Sequence, residues 1–158
     1  MNFACKLYNV ENDPMRSRFA LIFLLVVFGC AATTVKRPWK LELVTSGGFT
    51  GQGSGSITID SAGAIHVKTP FRGECDARAT AEELVRYETL LTEARPNKWR
   101  ESYMPKNRCC DRVDFHLTLT IVGQSWKTSW MPPEPMPKDL AAIGDELVKT
   151  MQARACGR

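Results

Sequence analysis

The sequence predicts an α+β fold: one antiparallel sheet of four to five strands with two helices on one face, in the order β-β-β-α-β-β-α. Three observations predict it. Short runs alternate apolar and polar residues with period two, as half-buried strands do. Two longer segments repeat their apolar residues at helical spacing. Turn residues separate neighbouring runs by only a few positions, so hairpins dominate and no β-α-β unit is evident.

The chain begins with an organisation of its own. Met15 to Ala32 (MRSRFALIFLLVVFGCAA) has Arg16 and Arg18 ahead of an apolar run from Phe19 to Phe28, then the small residues Gly29, Cys30, Ala31 and Ala32. This is the three-part grammar of a secretory signal peptide. The run is short for a permanent span of about 30 Å of hydrocarbon. Residues 1–14 carry Glu11, Asp13 and Pro14 ahead of that run and fit an n-region poorly. A start at Met15 accounts for this; a long n-region is the alternative. Residues 1–30 are thus read as a doubtful extension plus leader, 31–38 as a tether, and 39–158 as a single domain.

Trp39 to Thr45 is the first strand, with Trp39, Leu41 and Leu43 on one side and Lys40 and Glu42 on the other. Ser46 to Gly55 comes next, with five glycines in ten residues. Ser56 to Asp60 and Ala64 to Lys68 are short strands around Gly63, which suits the positive φ of a hairpin bulge. Thr69 to Arg78 reads as a crossover loop. Thr80-Ala81-Glu82-Glu83 is a capping box, opening a helix with Leu84, Tyr87, Leu91 and Ala94 as its stripe and Pro96 as its stop. Asn97 to Arg108 is a polar loop anchored by Trp99 and Tyr103. Val113 to Val122 is the clearest strand, and Gly123-Gln124-Ser125 turns it into a return strand lined by Trp126, Thr128 and Trp130. Met131 to Pro137 holds four prolines and must be extended. Pro137 and Asp139 open a last helix whose stripe is Leu140, Ile143, Leu147 and Met151.

Composition narrows the function. The 158 residues are 44% apolar and 24% charged, which excludes wholesale disorder. A net charge of +4 without a long basic stripe argues against a nucleic-acid binder. Lys36-Arg37 and Lys106-Asn107-Arg108 are solvated clusters. The glycine segment lacks the Lys-Ser or Lys-Thr and the following helix that a phosphate loop needs. His66 and His116 fall on the polar side of their strands. Asp111 and Asp114 are close in sequence, but acid–base pairing would have to appear in space. No catalytic, metal or cofactor site is expected.

Six cysteines are present, and Cys5 and Cys30 precede the domain. The remaining four, Cys75, Cys109, Cys110 and Cys156, make disulfides the default in an exported chain. Joining the neighbours Cys109 and Cys110 would be strained. That leaves Cys75–Cys109 with Cys110–Cys156, or Cys75–Cys110 with Cys109–Cys156, and the sequence does not choose. A bridge closing about 35 residues stabilises by roughly 4 kcal/mol on the chain-entropy account. Zinc held by these thiols with His66 or His116 is disfavoured, since the spacing is not C-x₂-C.

Two resemblances sharpen the picture. Val27-Phe28-Gly29-Cys30 resembles the bacterial lipobox, which implies lipid on Cys30, membrane attachment through that lipid, and residence at the outer membrane. Cleavage after Ala31 or Ala32, giving a soluble periplasmic or secreted protein, is the alternative. Thr45-Ser46-Gly47-Gly48-Phe49-Thr50-Gly51 resembles the emfourin family, small bacterial inhibitors of thermolysin-like metalloproteases such as protealysin. Those carry S-G-G-F-x-G after a first strand, and the order of elements is similar over roughly residues 40–152. The chain looks closer still to exported bacterial proteins with the pattern S-G-G-F-T-G…C…W…Y…C-C-D. The resemblance implies a non-enzymatic inhibitor whose binding loop includes Ser46, Gly47, Gly48, Phe49 and Gly51, with a secreted or periplasmic metalloprotease as partner. The rival reading is a structural or assembly lipoprotein of the cell envelope with no protease target.

Overall fold

The computed structural model describes residues 37–106 and 111–154. The leader, Cys30, Cys109, Cys110 and Cys156 lie outside the described residues. No helix among the described residues is long and apolar enough to cross a membrane.

The strands are β1 (Trp39–Gly47), β2 (Ser56–Asp60), β3 (Ala64–Thr69), β4 (Gly73–Arg78), β5 (Ser102–Tyr103), β6 (Val113–Ile121) and β7 (Gln124–Trp130). The helices are α1 (Ala81–Glu93) and α2 (Lys138–Ala153), with a short 3-10 turn at Pro96–Lys98. Among the described residues one sheet contains every strand, in the order β4-β3-β2-β1-β6-β7-β5. All neighbours are antiparallel except β5 and β7, so the sheet is mixed.

The α+β class is as expected, but the sheet has seven strands instead of four or five. Both extra strands come from segments read as loops. Gly73–Arg78 pairs along the open edge of β3, where unpaired backbone groups need partners. The Lys68–Glu74 ion pair and the His66–Asp76 hydrogen bond reinforce this register. Ser102–Tyr103 is only two residues long, too short for any alternation to announce it. The return turn also differs. It is the two-residue pair Val122–Gly123, with φ of 50° and 81°, rather than Gly123 to Ser125.

The pleat sorts the sheet into two faces. Leu41, Leu43, Ile57, Ile59, Ile65, Val67, Leu117 and Leu119 are almost wholly buried. Leu140, Ile143, Leu147 and Met151 of α2 and Tyr87 of α1 join them in one cluster, so both helices cover this face. The Tyr87 hydroxyl lies 2.7 Å from Thr150 Oγ1. Gly144 of α2 lies flush on Trp130: a Cβ there would come within 2.8 Å of the indole. Trp130 in turn stacks on Phe115, with centroids 5.3 Å apart.

Side-chain hydrogen bonds tie the helices to their surroundings. The capping box forms as expected: Glu83 N–H donates to Thr80 Oγ1 and Thr80 N–H to Glu83 Oε2. Asp139 Oδ2 accepts from Arg95 N–H at 2.8 Å and from the Trp99 indole at 3.0 Å. Trp99 and Tyr103 serve as the expected anchors, Tyr103 accepting from Arg100 N–H at 2.9 Å. Cys75 is disulfide-bonded.

Candidate functional site

The glycine segment is built onto the end of β1. Ser46 and Gly47 are still strand, aligned with Asp114 and Val113 of β6. Gly48 N–H donates to Arg112 O at 2.8 Å, and Gly51 N–H then closes a turn onto Gly48 O at 3.0 Å. Phe49 and Thr50 occupy the two central positions of this turn. Phe49 is therefore driven outwards and is 91% exposed. The chain returns over β1, where Gly53 N–H donates to Gly47 O at 2.8 Å.

Thr45 fastens the returning limb. Its hydroxyl accepts from Ser54 N–H at 2.7 Å and Gly55 N–H at 2.8 Å, and donates to Gly55 O at 2.8 Å. Thr45 N–H donates to the same carbonyl at 2.9 Å. The side chain is 4% exposed, a polar group buried only because its bonding is complete. Gly53 crosses so close to β1 that a Cβ would lie 2.5 Å from the Thr45 carbonyl carbon, and its φ is 63°. Only glycine fits there. A segment this rich in glycine reads as mobile from composition; here it is a loop held on both limbs.

A second turn stands beside it. Thr69–Arg72 links β3 to β4, with Arg72 N–H donating to Thr69 Oγ1 at 3.2 Å. Phe71 at this turn is 82% exposed. Gly53 and Ser54, the turn Thr69–Arg72, and Met151 and Gln152 at the end of α2 enclose an open depression of about 410 Å³. Two exposed phenylalanines therefore project from neighbouring connections at one end of the sheet.

The motif residues Ser46, Gly47, Gly48, Phe49 and Gly51 come together in this loop. Thr45, Phe71 and Arg72 were not singled out from the sequence. Thr45 carried a readable signal: it shares the inward parity of Leu41 and Leu43 yet is polar.

The polar face of the sheet carries the other candidates. His66 Nδ1 is 2.8 Å from Asp76 Oδ1, and its Nε2 is 3.9 Å from Glu74 Oε2. Lys68 holds the Glu74 carboxyl below the usual carboxylate range, first by its hydrogen bond and then by its charge. Ser46 Oγ lies 3.4 Å from His116 Nε2, and Asp114 stands opposite Ser46 on β6. Asp114 Oδ1 is buried with no hydrogen-bond partner among the described residues, so Ser46, His116 and Asp114 do not form a relay. His66 and His116 sit on β3 and β6, separated by β2 and β1. Trp126 and Trp130 lie on the helix-covered face, with the Trp126 indole donating to Asn97 Oδ1 at 2.8 Å. Among the described residues no three His, Cys, Asp or Glu side chains converge as metal ligands.

Comparison with protein families, with curated proteins and with solved structures finds no match to this chain.

Proposed function

We propose that this chain is an exported, non-enzymatic binding domain that inhibits a thermolysin-like metalloprotease through the loop Ser46 to Gly55. The carrying observation is the pairing of an ordered backbone with an exposed aromatic tip. Thr45 holds the loop by its buried hydroxyl while Phe49 is 91% exposed. Holding a loop in its bound shape before contact removes part of the ordering cost of association. An aromatic side chain in such a position is the usual anchor of a small interface. The bonded state of Cys75 supports an oxidising compartment, and with it the signal-peptide reading. Attachment through lipid on Cys30 belongs to the same proposal.

The test is a titration of the purified, oxidised protein against several thermolysin-like proteases. Stoichiometric loss of peptidase activity that disappears on deleting Ser46 to Gly53, with folding retained, is the expected result. Undiminished activity across those proteases overturns it.

The rival, an assembly lipoprotein of the envelope, draws on a separate observation. Phe71 and Arg72 extend the exposed surface beyond the loop itself. Co-purification with an envelope complex that depends on Phe71, without protease binding, is its signature.

A further inference from the structure

We propose that the protease-binding surface has a second half, the turn Thr69–Arg72 and the depression beside it. This half takes from the protease an apolar side chain that stands next to a carboxylate. It rests on the inhibitory role proposed for the loop Ser46 to Gly55.

That loop is too small to make a stable interface alone. A specific protein interface draws on about 20–30 residues a side. Ser46 to Gly55 has ten residues, and five are glycines without side chains. A partner anchored at Phe49 must therefore also cover surface next to the loop. The turn Thr69–Arg72 is the neighbour that is already open to contact. Phe49 and Phe71 are the two most exposed large apolar side chains among the described residues, at 91% and 82%. They project from the same end of the sheet. Gly55 runs so close to the end of β3 that a Cβ there would overlap the Lys68 carbonyl. Loop and turn are thereby packed side by side. Ser54 of the loop, and Pro70, Phe71 and Arg72 of the turn, wall one depression together with Met151 and Gln152.

The walls set the chemistry of what enters. Pro70, Phe71 and Met151 favour an apolar side chain, which gains by leaving water. Arg72 supplies the charge. It is the one charged residue in the loop and the turn, and it is exposed. It has no carboxylate partner among the described residues, whereas Lys68 is paired with Glu74 and Arg154 with Glu83. No carboxylate lines the depression among the described residues. An unpaired guanidinium at the rim of an apolar hollow is complementary to a carboxylate.

Shape points to a protein. The surface is concave between two projecting rings, so it receives a protruding side chain. A lipid surface is flat and is held by clusters of cations at about 1 kcal/mol each, and Arg72 stands alone here. The turn is also fixed before contact. The ring of Pro70 sets its φ, and Arg72 N–H donates to Thr69 Oγ1 at 3.2 Å. As in the loop, little ordering cost is left for binding.

The test is a titration of a thermolysin-like protease with the full oxidised chain and with Phe71→Ala, Arg72→Ala, Arg72→Glu and Gln152→Trp. The last variant fills the depression from the end of α2. All three positions are exposed, so urea midpoints should match wild type. Phe71→Ala, Arg72→Glu and Gln152→Trp should each weaken inhibition about tenfold or more. Arg72→Glu should cost more than Arg72→Ala, because reversal adds repulsion to the lost attraction. Undiminished inhibition by any of those three variants overturns this second half and leaves the loop standing. Equal losses in the two Arg72 variants overturn it by removing the carboxylate. Phe71-dependent sedimentation with phosphatidylserine vesicles, with inhibition intact in Phe71→Ala, overturns it in favour of a lipid surface. Wild type that inhibits none of several such proteases overturns the loop's role and this second half together.

Discussion

One guanidinium nitrogen of Arg154 straddles the carboxylate of Glu83, 3.0 Å from Oε1 and 2.7 Å from Oε2. The same Oε2 accepts the N–H of Thr80, so the capping box of α1 is braced by the residue that ends α2. Glu83 serves two partners and Arg154 one side-chain partner. Glu83→Ala should therefore cost more, about 1–2 kcal/mol, than Arg154→Ala, about 0.5–1 kcal/mol. Urea denaturation of both variants checks this, and an equal loss would mean that the cap contributes nothing.

Stability should fall in acid through Glu83 and Asp139. Burial pulls each carboxyl upward. Thr80 N–H and Arg154 outweigh it for Glu83, and Arg95 N–H and the Trp99 indole outweigh it for Asp139. Both end below the usual carboxylate range. The unfolded chain then takes up protons first, near about pH 4, so stability is full above that pH and declines as pH falls through the folded values. At the alkaline end, burial pushes the Tyr87 phenol up to about 12. The unfolded phenol ionises from about 10, so stability declines again as pH rises between those values. Urea midpoints from pH 3 to pH 11 should trace a plateau with both limbs, and Glu83→Gln should shallow the acid limb.

Gly144→Ala sets two effects against each other. Alanine is the better helix former by about 1 kcal/mol. Its Cβ, however, would stand 2.8 Å from Trp130 Cζ2 and 3.3 Å from Cη2. Trp130 is 3% exposed and stacked on Phe115, so it has nowhere to move. The overlap wins, with a net loss of about 1–2 kcal/mol in thermal or chemical unfolding.

Val122→Asn should stabilise. Val122 has a φ of 50° at the first position of a two-residue hairpin turn, where a β-branched side chain is strained. Asn-Gly is the preferred pair for such a turn. A gain of about 1 kcal/mol is expected from unfolding curves, and any loss would show that Val122, 63% exposed, packs more than its surroundings indicate.

Thr45→Val and Phe49→Ala separate holding the loop from using it. Valine keeps the shape but leaves Ser54 N–H and Gly55 N–H without their acceptor, at a cost of about 1–3 kcal/mol. Amide exchange at both positions should quicken. Phe49→Ala should leave stability within about 0.5 kcal/mol, because the ring touches solvent. Under the proposed function it should nonetheless abolish protease inhibition, and retained inhibition would remove Phe49 from the interface.

Much of the fold was legible residue by residue. The alternation of Trp39, Leu41 and Leu43, and of Leu117 and Leu119, marked the buried face. Leu140, Ile143, Leu147 and Met151 marked the inner stripe of α2. The S-G-G-F-T-G motif marked the loop. The inward parity of polar Thr45 was readable, but its partners were not, because they lie nine and ten residues away across the loop.

By itself, the sequence determined the features that local periodicity and turn chemistry control: a one-sided sheet, two amphipathic helices, the Thr80–Glu83 cap and the Gly63 turn. Those depend on neighbours a few residues apart. Tertiary structure decided that Gly73–Arg78 becomes an edge strand, since its only inward side chains are Cys75 and Ala77 and its order comes from the open edge of β3. It also decided that Phe49 and Phe71 share one end of the sheet. These depend on strand register between residues far apart in the chain, and register is set by the packing of a whole face rather than by any segment alone.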